Sequence, residues 1–382
     1  MRKLRWMALP AVMLAALSAS PLLLAQRGGG GRIGTGAPPR TPAGPAANPQ
    51  MGETPNVVRG DEINDAQREA VRKGLERLAS HQNKDGTFGN GNDGVGATSA
   101  VTSLAGLAFM EDGNLPGRGK YGDNVKKCVD AMLSRSQESG LLVAEQVHPI
   151  MYSHGFATLF LAEVYGMTGD ENVKEKLQKA VRLIQKTQNP QGGWRYQPVP
   201  ADADISVTIC QVMALRAARD AGIKVEKEVI DKAIEYVRGC QNPDGGFSYM
   251  TGGFGGGQTG SAFPRSAAGV AALYYAGVFE GDDIKRGLAY IRQYKPGVNA
   301  GGMGSQHYFY GQYYAVQAMF LAGGDYWAEW YPAIRNDLIA KQTPDGGWTG
   351  EVTDDYCTAV ALIILQVPNR YLPVFSGKGP GS

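Results

Sequence analysis

The chain has 382 residues, with 38 Lys and Arg against 36 Asp and Glu, so its formal net charge is only +2. Positive and negative residues are interspersed, and the sequence lacks the basic patch that is typical of a nucleic-acid-binding protein. No nucleic-acid partner is therefore expected. The four cysteines form no C-x-x-C pair, which argues against a zinc knuckle or a redox motif. Neither a metal nor a cofactor is predicted, and the cysteines are expected to be buried free thiols.

The first 60 residues are expected to direct and tether the protein rather than to fold. Residues 1–25 place three basic residues before a mostly apolar stretch from Trp6 to Leu24, as in a secretory signal peptide. An uncleaved N-terminal anchor is the alternative. Residues 26–60 are rich in Gly, Pro and Ala and are predicted to be a disordered tether. We expect an exported protein, periplasmic, in the cell envelope or secreted, with a possible membrane tether through this segment.

Four short segments repeat nearly the same sequence. Each is predicted to end an amphipathic helix and to lead, after a loop, into a more apolar helix. The gaps between them leave room for two degenerate copies, at Gln137-Glu138-Ser139-Gly140 and at Gln293 with the Gly-rich stretch after it. Six helix pairs are therefore expected. The four clear copies are QNKDGTF from Gln82, QNPQGGW from Gln188, QNPDGGF from Gln241 and QTPDGGW from Gln342.

The helices of each pair differ in polarity. Residues 171–187 are apolar on one helical face, whereas Ile205 to Ala218 are apolar nearly all round, which is typical of a helix buried on most sides. Polar helices outside and apolar helices inside predict an all-α fold, an α/α toroid of six helical hairpins over residues 61–375, with a flexible tail at 376–382. The outer helices are expected to start near Glu62, Gly122, Glu171, Glu226, Asp282 and Trp327, and the inner ones near Ala97, Ser153, Ala203, Ala262, Phe309 and Asp354.

This arrangement brings all inner-helix N-termini to one mouth of the ring, where a site is expected. Asp202 and Asp204 could be an acid pair, or they could cap the following helix. His154 could be a general base, or it could be a packed histidine. Arg265 could hold an anion or pair with Asp204, and the Gly-rich loop at 252–257 is predicted to be a lid or a linker. The expected ligand pocket consists of Tyr152, Arg265, His307, Tyr310, Gln312, Tyr313, Tyr356 and Cys357, because an aromatic lining suits a cation, an isoprenoid or a sugar.

The Gln-x-x-x-Gly-x-Trp type of motif on paired helices resembles the terpenoid cyclase and protein prenyltransferase superfamily, including the bacterial prenyltransferase and squalene-oxidase repeat proteins. Squalene–hopene cyclases carry Asp-x-Asp-Asp-Thr at the start of an inner helix, with the middle Asp as the acid. Here the segment is Asp202-Ala203-Asp204-Ile205-Ser206. The resemblance implies Asp204 as the acid, although Ile205 replaces the third Asp.

Protein prenyltransferase β-subunits, which the chain also resembles, hold zinc through ligands on two inner helices. This chain has Tyr310-Gly311-Gln312 and Cys357 at those positions, so it departs from the ligand pattern and no zinc site is predicted. Three functions remain open. The leading hypothesis is a module that binds a hydrophobic small molecule or an extended polymer in the aromatic pocket. The alternatives are a terpenoid cyclase- or prenyltransferase-like enzyme with Asp204 as acid, and a polysaccharide-active enzyme that uses Asp202, Asp204, Arg265, Asp354 or Asp355.

Overall fold

The computed structural model describes residues 62–89, 98–143, 149–252, 260–297 and 307–376, all within one compact unit, Gln50–Ser382. The predicted signal segment, the tether and most of the Gly-rich loop at 252–257 lie outside the described residues. The helices are α1 (Asp65–His81), α2 (Ser99–Glu111), α3 (Gly122–Ser134), α4 (Ile150–Thr168), α5 (Glu171–Lys186), α6 (Ile205–Asp220), α7 (Lys227–Gly239), α8 (Phe263–Ala276), α9 (Asp282–Arg292), α10 (Tyr308–Ala322), α11 (Gly324–Lys341), α12 (Asp354–Gln366) and the short α13 (Pro373–Ser376).

The six even-numbered helices from α2 to α12 form a closed inner ring. Each contacts the next even-numbered helix, α12 contacts α2, and each odd-numbered helix from α1 to α11 packs outside as the first arm of a hairpin. The sequence explains this division, since residues 205–218 of α6 are all buried while α5 buries one apolar stripe. The predicted all-α toroid of six helical hairpins is confirmed, and each of these twelve helices starts within three residues of the expected position.

The repeated motif fastens each hairpin to the next outer helix. In the copy from Gln188, Gly192 has a left-handed backbone (φ 98°) and lies directly against the carbonyl oxygen of Lys232 in α7. The Gln188 Nε2 group donates both to the Gly192 carbonyl and to the Val229 carbonyl of α7, each at 2.8 Å. Glycine is needed because the backbone turns left-handed where no Cβ would fit.

The same contact recurs around the ring, including the degenerate second copy. Gly140 is left-handed and stands against the carbonyl of Lys179, so the copy predicted at Gln137 is structurally genuine. The last copy, at Gly346, meets the carbonyl of Lys73 in α1 and so closes the ring. The glycines at 86 and 245 meet the carbonyls of Lys127 and Arg286 in the same way.

The motif aromatic joins the two helices of its own hairpin. The Trp194 backbone N–H donates to Thr208 Oγ1 on α6 at 3.1 Å, and its indole Nε1 donates to the Ile184 carbonyl of α5 at 2.8 Å. Trp194 and Trp348 are both fully buried, as expected of structural residues. The equivalent hydroxyl contacts are Phe88 with Thr102, Phe247 with Ser266 and Trp348 with Thr358.

The sixth copy can be followed only in part. Gln293 caps the end of α9 and donates to the Ala289 carbonyl of that helix at 3.4 Å, and residues 298–306 of the stretch after it lie outside the described residues. All four cysteines are buried free thiols, as predicted. Within the described ranges, no helix combines the length and the apolar character required to cross a membrane.

Candidate functional site

Asp204 is completely buried and caps the N-terminus of α6. Its Oδ1 accepts from the backbone N–H groups of Ser206 and Val207, each at 2.9 Å, so the N-cap interpretation is correct for this carboxyl. Burial raises the pKa of Asp204, although these hydrogen bonds and the nearby Arg195 guanidinium act in the opposite direction. The Asp204 carboxyl is therefore both a structural N-cap and an acid whose pKa is above its ordinary value.

A chain of hydrogen bonds connects Asp204 to the mouth. The Tyr152 hydroxyl on α4 donates to Ser206 Oγ at 2.5 Å, and Ser206 Oγ donates to Asp204 Oδ1 at 2.5 Å. Burial, together with the nearby Tyr310 phenol and Asp204 carboxyl, raises the pKa of Tyr152 well above its ordinary value. Tyr152 is therefore a neutral phenol, half-buried, whose oxygen can still accept a hydrogen bond from a ligand.

Arg195 lies between the two aspartates. It forms an ion pair with the exposed Asp202, and its Nε is 3.6 Å from Asp204 Oδ2. The guanidinium sits over the rings of Tyr196 and Tyr249, 5.1 and 5.9 Å from their centroids. Asp202 and Asp204 therefore do not form a carboxyl pair, because a cation separates them.

Two loops after the motif aromatics place Tyr196 and Tyr249 at the mouth. The Tyr196 carbonyl accepts from Met151 N at the start of α4, and the Tyr249 carbonyl accepts from Ile205 N at the start of α6, both at 3.0 Å. Each loop thus satisfies a free N–H of the preceding inner helix. The two tyrosine hydroxyls also hydrogen-bond to each other.

Tyrosines of α10 and α12 complete the mouth opposite Tyr152. The half-buried Tyr310 donates to the Ser206 carbonyl at 3.4 Å, and Tyr356 lies near it on α12. Burial raises the pKa of both phenols well above their ordinary value. We call the following half-buried residues the mouth cluster: Tyr152, Arg195, Tyr196, Tyr249, Tyr310 and Tyr356.

Side chains fill the centre of the ring beneath the mouth cluster. The Tyr314 hydroxyl and the Cys210 thiol are 3.2 Å apart, and both residues are buried. Tyr313 is also buried, and its ring packs against Tyr314 and edge-on to Phe156. Tyr313 is therefore part of the packed floor, below the position expected for a pocket residue.

Arg265 and His307 lie at the rim, at the starts of α8 and α10. Arg265 Nη2 donates to the Gly260 carbonyl at 2.8 Å, and burial lowers its pKa. The described ion pair of Asp204 is with Arg195, so the expected pairing of Arg265 with Asp204 is replaced. The His307 backbone N–H donates to Glu351 Oε1 at 2.6 Å, and its half-exposed ring lies 3.2 Å from the same carboxyl.

His154 does not line the mouth. Its Nδ1 accepts from Leu142 N at 3.3 Å, and its Nε2 is 3.4 Å from the Ala180 carbonyl of α5. This is the position that a Ser or Thr hydroxyl occupies in four other repeats, so His154 is the acceptor that ties the degenerate second motif to its inner helix. The structure thus corrects the expectation of a general base, because one ring nitrogen faces the motif loop and the other faces the outer helix α5, and neither faces the mouth.

Burial lowers the pKa of His154 to about 4 from its ordinary 6.5, which gives a testable pH dependence. The unfolded chain takes up this proton near pH 6.5 and the folded chain only near pH 4, so the contribution of His154 to stability is lost as the pH falls through this window. The resulting loss of unfolding free energy reaches about 3 kcal/mol. His154→Asn keeps an acceptor but does not titrate. The unfolding free energies of wild type and variant are measured by urea denaturation at pH 7 and pH 4.5. The wild type should lose more stability than the variant on going to pH 4.5, and an equal loss would contradict this.

Gln312 and Cys357 do not line the expected pocket either, because both are buried in the packed interior. Gln312 is completely buried within α10, so it belongs to the packed interior and not to a pocket open to a ligand. Cys357 packs beneath Gly350, where an added Cβ would lie 2.9 Å from its thiol, and burial raises its pKa to about 12.

Asp354 and Asp355 belong to the seam between the last and first repeats. The Asp355 carboxylate lies 2.9 Å from His81 Nδ1 and accepts from Gly89 N at 3.2 Å, while Arg77 of α1 stands 3.9 Å from Asp354 and 3.7 Å from Asp355. Their charges therefore serve the closure of the ring. In the described ranges, no group of three or more His, Cys, Asp or Glu residues is arranged to hold a metal ion.

Sequence reasoning missed Arg195, Tyr196 and Tyr249. A signal was present, because a tyrosine stands two residues after the motif aromatic in both central copies, Trp194-Arg195-Tyr196 and Phe247-Ser248-Tyr249. The equivalence of the two positions in the ring would have placed both tyrosines at the mouth.

Comparisons with known proteins agree with this fold. Residues 151–303, which include Asp204 and most of the mouth cluster, match the family model of the squalene-hopene cyclase C-terminal domain. No curated protein matches the chain significantly. An inactive variant of the α-1,6-mannanase GH76A of Salegentibacter sp. HEL1_6, in complex with α-1,6-mannotriose, superposes with a TM-score of 0.60 at 12% identity, over 80% of this chain and 100% of that one.

The type II terpene cyclase MstE from Scytonema superposes with a TM-score of 0.56 at 14% identity, over 81% of this chain and 99% of that one. A variant of MstE is known in complex with its substrate geranylgeranyl dihydroxybenzoate, with a TM-score of 0.55 at the same identity. Identities this low carry the fold and not the chemistry. The chain therefore has the same α/α-toroid fold as these enzymes.

Proposed function

We propose that this protein is an exported toroidal binding protein that holds an extended ligand across the mouth cluster. The observation that carries the proposal is the convergence of five half-buried tyrosines from five repeats, together with Arg195, on one end of the ring. Tyrosine and arginine offer flat faces for stacking and hydrogen-bonding groups beside them. Helix starts hold three of these tyrosines, and loops hydrogen-bonded to the starts of α4 and α6 hold the others and Arg195, so a ligand would meet a preformed surface.

The packed floor favours an extended ligand over one enclosed in the ring. Tyr313, Tyr314 and Cys210 are each at most 2% exposed, and they occupy the space that a buried isoprenoid would need. A polymer that lies across the rim needs no such space. Its apolar faces would stack on the tyrosine rings, and its polar groups would meet Tyr152 and Arg195.

Two probes distinguish the ligand classes: α-1,6-mannotriose and geranylgeranyl dihydroxybenzoate, the compounds bound in the toroids compared above. We expect calorimetric titration of the full-length chain to detect mannotriose binding, and Tyr152→Ala to weaken it at least about tenfold. Tyr165→Ala is the matched control, because Tyr165 lies near the opposite end of the same helix. Binding of neither probe, or equal weakening by both variants, would overturn the proposal, whereas binding of the prenyl probe alone would replace the polymer by a hydrophobic ligand.

A second candidate is a cyclase-like enzyme with Asp204 as the acid. It is favoured by the complete burial and raised pKa of Asp204, and by its hydrogen-bonded connection through Ser206 to the mouth. Asp204→Asn tests it, because asparagine caps a helix about as well as aspartate and cannot supply the proton. Turnover of geranylgeranyl dihydroxybenzoate by the wild type, abolished in Asp204→Asn but kept in the N-cap control Asp170→Asn, would support the enzyme; no turnover by the wild type would count against it.

A further inference from the structure

The end of the ring opposite the mouth is covered by the C-terminal segment, residues 367–374, which we call the strap. The strap follows α12 and begins with a short 3₁₀ helix, Val367–Asn369. Asn369 Nδ2 donates to the Glu111 carbonyl at the end of α2, at 2.9 Å. The helix α13, whose first two residues belong to the strap, contacts α4 and α6. The strap thus crosses the C-terminal ends of three consecutive inner helices, and its Leu372 and Val374 are buried.

Two buried glutamates face the strap from inside the ring. Glu111 and Glu163 are 0% and 2% exposed and lie at the C-terminal ends of α2 and α4. Backbone N–H groups of Tyr371 and Leu372 lie close to the Glu111 carboxyl, and the Val374 N–H lies close to that of Glu163. The glutamates also interact with each other through space. No lysine or arginine is hydrogen-bonded to either carboxyl in the part of the chain that the structure describes.

The other groups at this end give the two carboxyls little compensating charge. On α6, Arg216 already forms an ion pair with Asp220 at 2.6 Å. Asp220 adds negative charge beside Glu163, and Arg219 lies near Arg216 and Asp220. On α8 and α10 the facing groups are the phenols of Tyr275 and Tyr313. The titratable residues of the strap itself are Arg370, which lies 3.7 Å from Glu62, and the exposed Tyr371, while Asp112 directly follows Glu111 at the end of α2.

We propose that the strap is a pH-responsive latch over the base of the ring, closed while Glu111 and Glu163 are protonated and released when they ionise. Two adjacent buried carboxylates would repel each other and would lack the water that solvates them in an open state. Release of the strap gives both carboxylates access to water, so ionisation favours the open form. The strap contributes no residue to the inner helices, so it can move away without breaking any contact between them.

Burial raises the pKa of Glu163 to about 8 from its ordinary 4.5 and that of Glu111 well above 4.5. The sign follows from linkage. Because the closed form keeps these protons to higher pH than the open form, closure is fully stable below pH 4.5 and is progressively lost as the pH rises toward 8. Between pH 6 and pH 8, Glu163 alone would lower the ratio of closed to open molecules roughly 50-fold.

Hydrogen–deuterium exchange of the full-length chain at pH 6 and pH 8, corrected for the intrinsic pH dependence of exchange, tests the latch. We expect the protection factors of residues 367–374 to fall at least about tenfold between the two pH values, while those of α6 stay constant. The double variant Glu111→Gln, Glu163→Gln mimics the protonated pair and should keep the strap protected at both. Glu228→Gln, on the exposed surface of α7, should retain the wild-type fall.

Two results would overturn the proposal. One is a wild-type strap whose corrected protection does not change between pH 6 and pH 8. The other is a double variant that loses strap protection with the same pH dependence as the wild type, which would assign the change to other groups. Protection within α6 reports folding of the variants independently, so a misfolded variant cannot be mistaken for an open strap.

Discussion

Replacing Gly192 with alanine is expected to lower the free energy of unfolding by about 3 kcal/mol or more. Two costs add at this position. The backbone at φ 98° is left-handed, which is unfavourable for any residue with a Cβ, and the added Cβ would lie closer than 3.0 Å to the Lys232 carbonyl. Backbone cannot rotate away as a flexible side chain can, so α5 and α7 would have to separate. Urea denaturation followed by circular dichroism measures the loss.

Gly222→Ala separates the two costs. Gly222 is also left-handed, at φ 85°, but nothing lies within 4 Å of the position that an added methyl group would occupy, so only the conformational cost of about 1–2 kcal/mol applies. The difference between the two variants is therefore the energy of the close approach between motif and neighbouring helix. Equal losses would mean that the motif glycine is required only for its backbone angle.

The fold could be predicted from the sequence because one local motif encodes an inter-repeat contact. Gln188 and Gly192 reach the next outer helix, and the same residue types at the same spacing do so elsewhere in the ring. The polarity difference between α5 and α6 then assigns them to the outer and inner layers. Even the degenerate copy at Gln137 was recognisable, because it retains the glycine at Gly140.

The site was harder to predict because helix starts give position but not direction. Asp204 and Tyr152 do converge at the mouth, whereas His154, only two residues after Tyr152, faces the opposite way. One helical turn has 3.6 residues, so a shift of two reverses the direction of the side chain. Comparing His154 with Thr208 in the repeat register would have shown that it faces the motif loop. Arg195 lies in a loop without periodicity, so only its place after Trp194 could indicate its role.

The largest effect of a single side chain is expected at the seam where the ring closes. Arg77 of α1 is buried, donates to Asp345 at 2.9 Å and to Thr358 at 3.2 Å, and stands near Asp355, so it holds the first helix to the last repeat. We expect Arg77→Ala to cost about 3–5 kcal/mol, because it leaves the largely buried Asp355 with less compensating charge and opens a cavity under Gly347.

Arg72→Ala is the matched control on the same helix. Arg72 pairs with Glu69 and Glu76, but all three side chains are half-exposed, so its loss should cost less than about 1 kcal/mol. The seam joins residues more than 250 positions apart in the chain, so removal of Arg77 weakens a contact that local chain connectivity does not restore. Hydrogen exchange in Arg77→Ala should therefore increase first in α1 and α12 and later in α6. A uniform increase in all the inner helices would instead mean that the ring opens as one cooperative unit, with no weaker point at its seam.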